Sequence, residues 1–236
     1  MADRYTAALE TLRGAEQAPE TFARPFVDVL PVSGAAVSTL GSLLGTETIS
    51  ASDDLAARLD ELQFDLSEGP CWDALSAMRP VLEPALPGRA QRDWPSFAPA
   101  ASQYGISSVF AFPLIVGALP IGAVDLYSIP SITLTGEQCR QAIAMSDIVG
   151  RHLLRRAIRA GEDADTEPAP GEFSRRVVHQ ATGVIIAQLG LNAEDARLVI
   201  HGHAFASGRP VKEIAREIVA GALTFSRRDG GIEASG

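Results

Sequence analysis

Apolar and polar residues alternate along this chain in two rhythms, and the rhythm changes mark its parts. Residues 34–54, "GAAVSTLGSLLGTETISASDD", run in short alternations on either side of Gly45, which predicts two strands joined as a hairpin. In "DDLAARLDELQFDL" the spacing lengthens: Leu55, Leu59, Leu62 and Leu66 lie one helical turn apart and predict an amphipathic helix. "SEGPCWDALSAMRPVLEPAL" reads as a turn, a short helix and a strand. "SSVFAFPLIVGALPIGAVDLYS" gives two apolar strands joined at Gly117–Pro120. A long helix over "TGEQCRQAIAMSDIVGRHLLRRAIRA", capped near Thr135 or Gly136, closes the set. Such elements pack as an antiparallel sheet flanked by helices, an α+β domain over residues 20–160, with residues 1–19 an amphipathic helix before it.

Periodicity then stops. Residues 161–171 combine glycine, proline and acids with no apolar spacing, the signature of a solvated linker. Beyond it, residues 172–226 return to helical rhythm three times. The first stripe is Val177, Ala181, Val184, Ile185 and Gln188, ended at Gly190. The second, capped by Asn192 with Glu194 and Asp195 in its first turn, is Ala196, Val199, Ile200, His203 and Ala204. The third follows Gly208 and opens with Pro210 at its first helical position, carrying Val211, Ile214, Ala215, Ile218, Val219 and Ala222. Three short helices around one core predict a small all-α bundle. Residues 227–236 read as a disordered tail.

Charge sharpens this division. The net charge is −9, but residues 1–160 hold 12 basic against 18 acidic side chains, the linker adds four acids, and residues 171–236 hold 8 against 7. The acidity belongs to the first module, so a polyanionic partner for the second stays open. The apolar run at 107–126 is broken by prolines and glycines and is no membrane span. The start of the chain is neither a signal nor a transit peptide. Two distant cysteines, Cys71 and Cys139, fit free thiols in a reducing cytoplasm.

Half of the four histidines fall in "HGH", 201–203. On a helix, residues two apart point about 200° away from each other, so His201 and His203 do not chelate one ion. His203 belongs to the apolar stripe, and His201 to the wet face. On the third helix Arg209, Lys212 and Arg216 form a basic stripe, with Arg175 and Arg176 opening the first. Spacing leaves two readings for the stripe: helix ion pairs with the interleaved Glu213 and Glu217, or contacts that track phosphates.

Two resemblances give these patterns a functional direction. "ELQFDLSEGPCWDAL", followed by "RPVLEPAL" and the later apolar hairpin, resembles a GAF domain, in particular the actinobacterial type with an "EGPC" turn, over roughly residues 20–157. That implies a small-molecule or redox sensor, or a dimerisation unit. "RRVVHQATGVIIAQLGLNAEDARLVIHGHAFASGRPVKEIAREIV" resembles the ANTAR domain of bacterial transcription antitermination regulators. The features that carry it are Arg176, Ala181 and Gly183 in "ATGVI", "QLG", Ala204–Phe205, "GRP", Ile214–Ala215 and Ile218–Val219. The resemblance implies binding of paired stem-loop RNA with six-nucleotide loops, which prevents a terminator hairpin from forming. It also places RNA contacts at Arg175, Arg176, Thr182, His201, Arg209, Lys212 and Arg216. Thr182 stands where many members carry lysine, and Val199 and His201 where many carry arginines, so the cationic surface is thinner here.

In the GAF-like domain, Cys71, Trp72, Trp94, Phe110 and Tyr127 are candidates for a ligand pocket, beside a plain core role. Cys71, at the start of a helix, is also a redox candidate. Ile148, Val149, His152, Leu153 and Ile158 on the closing helix suit a partner helix, and predict a homodimer. The expectation is a cytoplasmic regulator with no catalytic constellation, metal or cofactor. A DNA-reading helix-turn-helix and a protein-interaction module with a degenerate RNA surface are the alternatives.

Overall fold

The computed structural model describes residues 2–40, 44–86, 88, 93–162, 176–228 and 231–235. The chain divides into two compact units, Met1–Phe173 and Ser174–Gly236. Most of the predicted linker and Arg175 lie outside the described residues. Among the described residues, no helix is long and apolar enough to cross a membrane.

The first unit is built on a five-stranded antiparallel sheet. Its strands are β1 (Gly34–Thr39), β2 (Glu47–Ala51), β3 (Val81–Glu83), β4 (Ser108–Val116) and β5 (Leu119–Ser128), in the spatial order β2-β1-β5-β4-β3. Helices α1 (Ala2–Gly14), α2 (Arg24–Val29) and α6 (Gly136–Glu162) share a core with Val37, Phe110, Val124 and Leu126 on one face. Helices α3 (Asp54–Leu66), α4 (Pro70–Ala77) and α5 (Phe97–Ser102) cover the other, against Ala36, Val109, Ala123 and Tyr127. The alternation of neighbouring β5 residues between these clusters is the period-two rule of a strand buried on both sides. On α6, Ile148, Val149, His152 and Leu153 are buried within the unit, with Leu12 of α1 in the same core and Phe22 stacked on the His152 ring at 5.8 Å. Of the residues expected to meet a partner helix, Ile158 alone stays exposed; Ile143 joins it.

The "EGPC" turn is a packing hub. Gly69 has φ +138°, a conformation glycine adopts readily, and a Cβ there would lie 2.6 Å from Gln63 Oε1. Pro70 opens α4, the Cys71 N–H donates to Gln63 Oε1 at 2.9 Å, and Glu68 accepts the N–H groups of Ser96 and Phe97 at the start of α5, both at 2.8 Å. Four consecutive residues thereby join three helices.

A buried carboxyl group interrupts this packing. Asp125 pairs in register with Ala36 of β1 and Ala111 of β4, faces α3, and is 4% exposed. Its two carboxyl oxygens lack hydrogen-bond partners. Burial, and then the charge of Asp60, push its pKa well above the usual carboxylate range; the Gln63 amide offsets this in part without reaching hydrogen-bond geometry.

The second unit contains α7 (Arg176–Leu189), α8 (Ala193–Ser207) and α9 (Val211–Val219). Asn192 caps α8 by accepting the Asp195 N–H at 2.8 Å, and Gly208 ends α8 with φ +65°. Pro210 takes the N-cap of α9 rather than its first turn. The expectation of a disordered tail at 227–236 is corrected. β6 (Thr224–Arg228) and β7 (Gly231–Ser235) pair antiparallel, and Phe225 is 6% exposed in the helical core. The Phe225 N–H donates to the Gln188 side chain at 2.9 Å, and His203 meets its ring edge-on at 5.4 Å. A strand is enlisted because three short helices alone bury little apolar surface.

Two predictions follow from this packing. Phe225→Ala, or removal of residues 224–236, should destabilise the second unit, the former by about 3–5 kcal/mol; loss of helical circular dichroism at lower temperature reports it, and an unchanged melt would mean the tail is ornamental. The raised pKa of Asp125 means the folded state holds that proton more tightly than the unfolded chain. Its contribution is complete below the ordinary aspartate range and is lost as pH rises through the raised value. Asp125→Asn should therefore stabilise the protein at about pH 8, by about 1–3 kcal/mol, with the gain vanishing toward about pH 4. A pH-independent difference would contradict the assignment.

Candidate nucleic-acid interface

Helix α7 presents Arg176, half-buried, at its start. Thr182, expected as an RNA contact, is instead turned inward. It is 7% exposed and its hydroxyl donates to the Val178 carbonyl at 2.8 Å, so the position has neither exposure nor a spare donor. A threonine in mid-helix satisfies its hydroxyl this way when it lies on the core side.

On α8, His201 and His203 diverge as helical geometry requires. His203 packs on Phe225, while His201 is half-buried on a different side of the helix. The core-edge placement expected for His203 is seen, whereas His201, expected on the wet face, is half-buried like His203. Arg197, one turn before His201, is exposed, and so are Leu198 (64%) and Phe205 (76%), the two most exposed large hydrophobics among the described residues. Sequence reasoning passed over Arg197 and Leu198. Their signal was present: both fall off the apolar stripe defined by Ala196, Ile200 and Ala204.

The basic stripe of α9 divides. Arg209 donates from Nε and Nη2 to Glu213 at 3.1 and 2.6 Å, and from both terminal nitrogens to Glu217, at 3.1 Å from Nη1. Hydrogen bonds to Glu217 and Glu213 raise its pKa, and Arg209 lowers that of Glu217. Four of the five guanidinium donors are thereby engaged within the chain, and the ion-pair reading of the stripe holds for this residue. Lys212 is half-buried and Arg216 exposed. Of the basic side chains on α8 and α9, Arg197 and Arg216 are exposed, whereas His201 and Lys212 are half-buried.

The five GAF-pocket candidates do not line one cavity. Phe110 lies in the α1/α6-side core, whereas Cys71, Trp94 and Tyr127 lie on the opposite face of the sheet. Their polar atoms serve the fold. Trp72 Nε1 donates to the Gln63 carbonyl, Trp94 Nε1 to Asp73 and the Tyr127 hydroxyl to Asp53, each at 2.9 Å. Burial, then the bond to Asp53, raises the Tyr127 pKa. Cys71 is fully buried. What sequence reasoning missed on this face is Asp125; the signal was an acid inside the otherwise apolar strand "IGAVDLYS".

Comparison with known proteins follows the same division. The family model described as "ANTAR domain" matches residues 174–219. That domain is the RNA-binding module of bacterial antitermination regulators. No curated protein matches the chain significantly. Among solved structures, the GAF domain of a phosphoenolpyruvate-protein phosphotransferase from Coxiella burnetii is similar, with TM-score 0.54 and 11% identity, over 68% of this chain and 96% of that one. The GAF domain of the Acinetobacter phosphoenolpyruvate-protein phosphotransferase gives TM-score 0.48 and 8% identity, over 71% and 97%. The first unit has the GAF fold, and residues 174–219 of the second match the ANTAR domain.

Proposed function

We propose that this protein is an RNA-binding antitermination regulator: its ANTAR domain holds paired stem-loops and thereby keeps a terminator hairpin from forming, while the GAF unit senses a signal or dimerises. The observation that carries the reading is the ANTAR match over 174–219, on a unit whose α8 and α9 present Arg197 and Arg216 to solvent. Loop bases are unstacked and readable, whereas an A-form duplex hides its base edges, so a short helical surface suits hairpin loops better than duplex stems. Exposed Ile143 and Ile158 on α6 support the homodimer.

The test is binding of the full chain to a tandem hexanucleotide-loop RNA, a loop-scrambled RNA and duplex DNA across a salt series. Loop-dependent binding is expected. Lys212→Ala/Arg216→Ala should weaken it and flatten the salt slope by about 1.5. Arg209→Gln should leave the slope unchanged, because that guanidinium is held by Glu213 and Glu217. Equal binding of scrambled RNA or DNA would overturn the proposal.

A further inference from the structure

The exposed face of α8 carries a feature that its own fold does not explain. Gly202 lies in the interior of a regular helix, is exposed, and a Cβ there would meet nothing within 4 Å. No packing contact or backbone angle requires glycine there, and glycine inside a helix is less favourable than alanine. On the same face stand Leu198, four residues before it, and Phe205, three after, at 64% and 76% exposure. Residues at these spacings are neighbours on a helix surface. Their α-carbons stand about 10 Å apart along the axis, with bare backbone between them. The result is a slot one residue wide, floored by Gly202 and walled by an aliphatic and an aromatic side chain. Arg197 and His201 border one side of it, and the acids Glu194 and Asp195 are confined to the first turn.

We infer that this slot receives one unstacked RNA base, which lies over Gly202 and stacks on Phe205. The inference rests on the RNA-binding reading above and names the residues that read the loop. A base stacks at about 3.4 Å from its neighbours, so the slot has room for one. Arg197 and His201 meet the adjoining phosphates. A second copy of the chain is a poorer occupant, because the apolar strip runs only about 10 Å before charged and polar side chains begin, far short of the ~800 Å² per partner of a stable protein interface.

The decisive variant is Gly202→Ala, which separates folding from binding. A methyl group here meets open space, so the full chain should melt at a higher temperature, while affinity for the hexanucleotide-loop RNA falls. Phe205→Ala should lose about 5- to 150-fold in affinity, the range of base–aromatic stacking, and Phe205→Trp should retain binding. An abasic substitution at the docked loop position should cause a similar loss in the wild type and no further loss in Phe205→Ala. If the wild type prefers loop RNA while Gly202→Ala and Phe205→Ala bind it unchanged, the slot is not the base site and only this inference falls. If the wild type shows no loop preference, the RNA-binding reading falls with it.

Discussion

The second unit depends on how a very small core is closed. Among the described residues, thirteen buried apolar side chains hold it together, and four of them are alanine. With so little apolar surface, the Phe225 ring cannot be left outside, and its position settles much else. His203 is drawn in against the ring, which puts His201 on another face of α8. The Gln188 side chain is fixed by the strand that carries Phe225. Thr182 is claimed by the inner side of α7. Arg197, Leu198, Gly202, Phe205 and Arg216 remain outside and make up the surface proposed to meet RNA.

The first unit solves a different problem. Its sheet is covered on both faces, so three helices on the α3 side must be held in place by short-range contacts. The turn at 68–71 supplies them through Glu68, Gly69 and the Cys71 N–H, with Gln63 as the common acceptor or close neighbour. A motif that reads in sequence as a possible reactive cysteine thus serves mainly as a joint. Asp125 is the exception to this economy, a buried carboxyl beside Asp60 whose ionisation works against the fold.

Much of this was legible in the sequence because periodicity reports which face is buried. The strands, the helices at 54–66 and 136–162, the three ANTAR helices, and the caps at Asn192 and Gly208 all follow from local rules. Other features were hidden for physical reasons. The β6–β7 hairpin was read as tail, since its core contribution is the single ring of Phe225, although "DGG" at 229–231 signals a turn. Phe110 and Tyr127 look equivalent in sequence, but an odd separation along the β4–β5 register sends them to opposite faces. Whether a basic stripe is solvated or self-paired depends on side-chain reach: Arg209, just before α9, spans to both Glu213 and Glu217, which spacing alone permitted without requiring.

The central claim is that RNA engages the exposed face of α8 and α9. Hydrogen–deuterium exchange of the full chain, with and without tandem hexanucleotide-loop RNA, tests it most directly. The account predicts RNA-dependent protection concentrated in residues 193–219, with the scrambled-loop RNA giving none. Protection confined to residues 1–173, or equal protection by scrambled RNA, would contradict it.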